Sequence, residues 1–470
     1  MIAAIAGKTH DCLCSFGYFR AGDCDLFIYI SPEKTDEPYE KRALAMDLIH
    51  VFAILITITA LFSYINLRFI GLPVSIGVMV IALGLSLLVN ALSWGGFSLE
   101  TPVRAFLQQI DFDKTLLNGM LSFLLFAGAL HININDLADR KWSIAALATI
   151  GTLLSTFLAG ALTWAILRGF SLNLSFVYCL LFGALISPTD PIAVLGILKT
   201  AGVPKSLEIK ISGESLFNDG VGIVLFLIIL ELATGTQQVS LSYIAVLFVQ
   251  EALGGSVFGL LIGYLGYLLL KSVDNYQVEI LLTLALVAGG YALASFLHLS
   301  GPIAIVVAGL LIGNQGRLLG MSVETRHRMD VFWELVDEIL NALLFVLIGL
   351  EVLVVRASPA FIWALLLIIP AILLSRFIAI SIPMSFLGKF RKFTPGAIPI
   401  LTWSGLRGGI SVALALSLPL GPQRDVILTM AYAVVVFSIV VQGLSLKRFV
   451  KAMLARTAQA PVGPLGPINR

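Results

Sequence analysis

Charge is what this sequence has least of. Only 12% of its 470 residues are Asp, Glu, Lys or Arg, where a soluble domain usually carries about 25%. An enzyme with an ordinary hydrated surface is therefore excluded. Lys and Arg number 30 against 28 Asp and Glu, the formal net charge is +2, and no long basic run occurs. That excludes a nucleic-acid binder and leaves no bulk field to draw an acidic partner. Cysteine is scarce too, with 4 residues. Cys12, Cys14 and Cys24 cluster near the start and Cys179 stands alone in an apolar run, with no His at zinc-site spacing, so no structural metal is expected. What fills the chain instead is hydrophobic residues, 58% of the total. This excludes disorder and collagen, and because the apolar residues fall in long blocks they read as many membrane spans, not one anchor.

About thirteen spans are expected, each needing about 20 apolar residues to cross the hydrocarbon. They fall at roughly 47–66, 71–92, 115–131, 144–167, 173–198, 207–232, 242–270, 277–298, 301–313, 332–353, 359–387, 395–418 and 425–446. The ninth is short, and reads as tilted, broken or partly re-entrant. Basic residues alternate between the loops. One set holds Arg68, Arg140, Lys141, Lys199, Lys205, Lys210, Lys271, Arg317, Arg326, Arg328, Lys389, Arg391 and Lys392, continued by Lys447, Arg448, Lys451, Arg456 and Arg470 in the tail. The other holds only Arg104, Lys114, Arg168, Arg356 and Arg424. The excess of positive charge marks the cytoplasmic side, which puts the C-terminus in the cytoplasm. Residues 1–45 have no signal-peptide pattern, and Met46 opens directly into a span. The expected organisation is a disordered leader or mis-assigned start over 1–45, with a structured cap as the rival reading, a transmembrane domain over 46–446 and a short basic cytoplasmic tail over 447–470.

Ionisable groups inside a span are costly and point to function. Span five contains Ser187-Pro188-Thr189-Asp190-Pro191. Pro191 cannot donate a backbone hydrogen bond and Pro188 disfavours helix at Ser187, so the helix is expected to open here. A plain proline kink, with Asp190 capping the next half-helix, would explain the prolines but not a carboxylate at that depth. Span six opens with Ser212-Gly213-Glu214-Ser215, followed by Asn218-Asp219-Gly220. Ser215 and Asp219 share one helix face, and Glu214 and Asn218 the adjacent one. Hydroxyl and carboxylate oxygens suit a small hard cation or, equally, a proton. An interfacial loop is the rival reading, but Val221–Leu230 is too short to cross alone. Span twelve contains Ser404-Gly405-Leu406-Arg407-Gly408-Gly409, whose glycines loosen the helix.

Arg407 needs an acceptor, and charge demand makes Glu214 the expected partner. Arg376, in span eleven, could turn to the carbonyl ends of an interrupted helix. Glu351 reads as interfacial, and Asp337 and Glu338 as lying near the start of span ten. Two interrupted spans seven apart are the mark of inverted repeats with broken helices meeting at mid-membrane. Spans 1–6 would map onto 8–13, with span seven as linker. Gly255, Gly259 and Gly263 in that linker form a close-packing face, for contact within the chain or with a second copy.

These segments, with Phe332-Trp-Glu-Leu-Val-Asp337-Glu338-Ile-Leu-Asn341, resemble the monovalent cation:proton antiporters, the family of bacterial NhaP and the animal sodium/proton exchangers. The likeness covers about residues 47–446. It implies an all-α polytopic homodimer that exchanges cytoplasmic Na⁺, or Li⁺ or K⁺, for external H⁺ across the cell (inner) membrane, without a cofactor, in sodium and pH homeostasis. It assigns the ion to Asp219, Asp190, Ser215 and the Thr189 carbonyl, with a Glu214–Arg407 pair in support. Asn218 beside Asp219 implies electroneutral one-for-one exchange. Relatives often carry an acidic residue in span three where this chain has Ala127, leaving Asn133 and Asp136 nearby, which read as loop residues. The alternative from another class is an intramembrane serine hydrolase, with Ser215 as nucleophile and His298 as base. It is weak, because Phe217 breaks the Gly-x-Ser-x-Gly elbow. A transporter of another solute on the same scaffold is a further alternative.

Overall fold

A computed structural model describes residues 48–94, 119–190, 192–235, 246, 249–317, 320–351, 359–389 and 396–458. The expected leader over 1–45 and its cysteines lie outside these residues, as do Arg104, Lys114, Arg356 and the end of the tail.

The described residues form helices and no strands. They are α1 (Leu48–Ile65), α2 (Val74–Trp94), α3 (Leu121–Leu130), α4 (Ile134–Asp139), α5 (Lys141–Gly169), α6 (Phe176–Ile186), α7 (Ile192–Ala201) and α8 (Lys205–Thr234). The second half holds α9 (Gln250–Ser272), α10 (Tyr276–Phe296), α11 (Gly301–Gly316), α12 (Val323–Glu351), α13 (Pro359–Gly388), α14 (Ala397–Trp403), α15 (Gly409–Leu416) and α16, which starts as Pro422–Phe437. Helix α16 runs through a π turn, Ser438–Gly443, into Leu444–Ala458, so the basic tail begins as helix. Eight of the described helices are long and apolar enough to cross a membrane on their own, while α3, α6 and α11 are shorter.

Local chemistry sets several of these boundaries. Asn275 caps α10 by accepting hydrogen bonds from the N–H groups of Gln277 and Val278. Ser300 caps α11 with Pro302 in the first turn, so the short ninth span is a continuous helix with a π turn at its end. At the end of α8, Gly235 takes a left-handed φ of 66° that a side chain would resist. Helix α12 starts about two turns before the expected span, which places Asp337 and Glu338 well inside a helix.

The helices sort into two groups by what they pack on. Helices α5, α6, α8, α13, α15 and α16 pack on one another, and α1, α2, α3, α9, α10, α11 and α12 form the second group. Two six-span repeats would divide this way, each giving its first three spans to one group and its last three to the other. The glycine face of α9 is used within the chain. A Cβ at Gly259 would meet the Ala304 carbonyl at 2.4 Å, and one at Gly263 would meet Ala308 Cα at 3.0 Å. That face is welded to α11 and is closed to a second copy, while Leu261, Tyr264, Leu265 and Leu268 on other sides of α9 are exposed.

Candidate ion site at two crossed helix breaks

The chain leaves helical geometry at the two expected places. Helix α6 ends at Ile186, and α7 restarts at Ile192. Helix α14 ends at Trp403, and α15 restarts at Gly409. The breaks meet, with the Asp190 N–H donating to the Leu406 carbonyl at 2.8 Å. Gly408 is extended where it passes Asp190; a Cβ there would lie 2.4 Å from Asp190 Oδ2. Asp190 thus sits at the N-terminal end of α15, where unpaired N–H groups favour negative charge.

Helix α8 lies along this crossing. A Cβ at Gly222 would lie 2.3 Å from Pro188 Cγ, so only glycine permits the approach. Glu214, Ser215, Asn218 and Asp219 are all buried in mid-helix, which rules out an interfacial loop. Their roles differ. Asn218 pins the broken helix: its Oδ1 accepts from the Thr189 N–H at 3.2 Å, and its Nδ2 donates to Thr189 Oγ1 at 2.9 Å and to Glu214 Oε1 at 3.2 Å. The Ser215 hydroxyl shares a hydrogen bond with Thr189 Oγ1 at 2.9 Å. Asp219 is 3% exposed, and its Oδ1 has no hydrogen-bond partner. An unpartnered carboxylate oxygen at that depth is a strong acceptor awaiting a cation or proton.

Asp219 faces a cavity of about 60 Å³ that Asp190, Thr189, Pro188, Gly408, Ser411 and Asn341 also line. Leu121, Leu125 and Gly128 of α3 contribute an apolar wall. Three of the four expected ligand residues therefore border one space, while Ser215 stands behind Thr189 and does not line it. Asn341, of the second helix group, borders it although the sequence reading gave it no role; its place in the span-ten motif was the available signal.

The arginine partners are exchanged relative to expectation. Glu214 pairs with Arg376, not Arg407: Arg376 Nη1 lies 2.5 Å from Glu214 Oε1 and Nη2 lies 2.8 Å from Oε2. Arg407 Nη1 instead donates to the carbonyls of Ser187 and, at 2.9 Å, Pro188. It thereby caps the carbonyl end of α6, the negative pole of that half-helix. The Arg407 backbone N–H is held by Ser438 Oγ at 2.9 Å. The fork of Arg376 matches a carboxylate, and Arg407 reaches the freed carbonyls because its own break crosses theirs.

Neither of the two residues expected near Ala127 stands in for an acid there. Asn133 caps α4, and Asp136, which is helical and not in a loop, pairs with Lys205 at 3.0 Å. The hydrolase constellation does not form. His298 lies past the end of α10, with its carbonyl accepting from Gln250 Nε2 at 3.1 Å, while Ser215 binds Thr189. A nucleophile needs its base within hydrogen-bond reach.

Residues 56–452 match the family model described as sodium/hydrogen exchanger, transmembrane. The chain belongs to the sodium/hydrogen exchanger family. Members of this exchanger family are transporters, not enzymes. The chain is 52% identical over 415 residues to the Na(+)/H(+) antiporter NhaP of Pseudomonas aeruginosa, covering 87% of this chain and 97% of that protein. It is 35% identical over 360 residues to the Na(+)/H(+) antiporter NhaH of Halobacillus dabanensis, covering 76% of this chain and 87% of that one. Among solved structures it is similar to the sodium proton antiporter MjNhaP1 from Methanocaldococcus jannaschii at pH 8, with a TM-score of 0.69, 18% identity and coverage of 87% of this chain and 100% of that one. That likeness shows a shared fold, an all-α multi-pass membrane architecture.

Proposed function

We propose that this exchanger is a secondary antiporter that trades cytoplasmic Na⁺ for external H⁺, one for one, at Asp219. The observation that carries this reading is the buried Asp219 carboxylate with a free oxygen, facing a small cavity beside Asp190. A proton or a desolvated cation satisfies that oxygen, and the two compete for it. Asp190 and Thr189 complete the oxygen set, with the Ser215 hydroxyl holding Thr189 from behind, a chemistry suited to a hard monovalent ion. Asn218, Glu214, Arg376 and Arg407 hold the two breaks in register. Alternating access then comes from movement of one helix group against the other.

The protein works as a multi-pass homodimer of thirteen spans in the cell (inner) membrane, with its C-terminus in the cytoplasm as the loop charges argue. Residues 46–446 form the transport domain. The reading is tested by dye-monitored collapse of ΔpH in everted vesicles, adding NaCl, LiCl, KCl and choline chloride in turn. Collapse on Na⁺ but not on choline is expected. An undisturbed gradient with all three metal chlorides defeats the proposal.

A further inference from the structure

The polar groups of the ion site described so far belong to one helix group, apart from Asn341. That residue is 2% exposed, sits on α12 and borders the cavity that holds Asp219. Its amide donates to the Asp337 backbone carbonyl at 2.8 Å and to Asp337 Oδ1 at 3.2 Å. It therefore ties the carboxylate one turn back to the cavity wall. Asp337 is half-buried, one turn of α12 from the cavity-lining Asn341.

Unlike Glu214, which has Arg376, and Asp330, which has Arg317, Asp337 has no cationic side chain within ion-pair distance among the described residues. Glu334 and Glu338 flank it, both exposed. The run leads from the Arg326 and Arg328 end of α12, the cytoplasmic end by the loop charges, toward the cavity. Negative charge without a cationic partner raises the local concentration of cations. At the inner end of this run waits the unpartnered oxygen of Asp219.

We propose that Asp337, held by Asn341, is a second station for the transported monovalent cation, on the cytoplasmic side of the site, from which the ion passes to Asp219 and Asp190. The proposal rests on the antiport reading and adds a sidedness to it. A station that touches the path on one side only affects capture from that side. Asp337 attracts the ion before it is fully dehydrated, and the Asn341 amide keeps the carboxylate aimed along α12.

The test compares Na⁺-dependent exchange in everted and right-side-out vesicles for the wild type, Asp337→Asn and Asp337→Glu. Asp337→Asn is expected to raise the apparent KM for Na⁺ at the cytoplasmic face about tenfold, the factor one charge gives at about 10 Å and an effective dielectric near 20. The KM at the external face stays within about twofold, and Asp337→Glu restores the cytoplasmic value. An unchanged cytoplasmic KM, or an equal rise at both faces, overturns the station, since a merely structural residue would disturb the two faces alike. If Asp337→Asn does not fold, judged by its thermal midpoint in detergent, Asp337→Ser is measured in the same way. The same asymmetry is then expected, and its absence counts against the proposal. A wild type that exchanges no cation defeats the antiport reading and the station with it. A wild type that exchanges while the variants respond symmetrically defeats the station alone.

Discussion

Separating Arg376 from Glu214 removes one half of a buried ion pair, and the geometry fixes how the loss distributes. The side chains are 5% and 1% exposed, and two hydrogen bonds of 2.5 and 2.8 Å join them. In Arg376→Met, Glu214 keeps only the Asn218 amide, at 3.2 Å. Stranding a buried charge costs about 3–5 kcal/mol. Glu214→Gln strands Arg376 in turn, at a similar cost. The double variant buries no uncompensated charge from this pair, so it should lose about 1–2 kcal/mol, far less than the sum. The coupling in this cycle is then several kcal/mol. A parallel cycle between Glu214→Gln and Arg407→Met should couple by about 1 kcal/mol or less, because those residues share no hydrogen bond. Unfolding by SDS in mixed micelles, followed by tryptophan fluorescence, yields both cycles. A larger coupling for Glu214 with Arg407 than with Arg376 would refute the pairing and the reasoning built on it.

Asp219→Asn should abolish Na⁺-driven collapse of ΔpH in everted vesicles while expression and oligomeric mass stay as in the wild type, since an amide cannot alternate between proton and cation. Retained exchange in that variant would move the shared site elsewhere. Gly408→Ala places a methyl about 2.4 Å from Asp190 Oδ2 and must displace that carboxylate or the break. Its Na⁺ affinity, read as the apparent KM, should fall by about tenfold or more, a shift of about 1.4 kcal/mol, and a wild-type KM would show that the crossing tolerates a side chain. In proteoliposomes clamped at zero and at about −100 mV, where a net charge would gain about 2.3 kcal/mol, the Na⁺ flux should reverse at the point set by the two chemical gradients alone. A voltage-shifted reversal point would exclude one-for-one exchange.

What could be read from the sequence follows from which forces act locally. A bilayer demands about 20 apolar residues in a row, so helices show as runs of composition. Pro188, Pro191 and the glycines around Arg407 act on their own backbone, and both breaks lie where those residues predict. Arginine partners are a different matter. Arg376 and Glu214 are 162 positions apart, and Arg407 and Ser187 220 apart. Charge demand shows that two buried guanidinium groups need acceptors, and a carboxylate and a set of freed carbonyls satisfy them in either order. Only the direct crossing of the breaks, fixed by the Asp190–Leu406 hydrogen bond, sets the order. The partners of Asn218 are hidden for the same reason. Its place beside Asp219 suggested a part in setting the charge, whereas its amide faces the backbone of the broken helix. The glycines of α9 were ambiguous because a small-residue face declares closeness without naming the neighbour.

The buried centre also has a charge of its own. Arg376 and Arg407 bring two positive charges, and Glu214, Asp219 and the half-buried Asp190 bring three negative ones when ionised. Counted without Asp337 of α12, this assembly of five is thus short by one positive charge. In the proposed site a sodium ion would make up that deficit, and so would a proton, after which these five groups would be formally neutral. An ion-free cluster keeps a net negative charge, which apolar surroundings penalise heavily. On the proposed site, neutrality when loaded and charge when vacant would act as a leak barrier written into side-chain identity: the carrier would be cheapest to reorient with a passenger aboard, whichever of the two it holds.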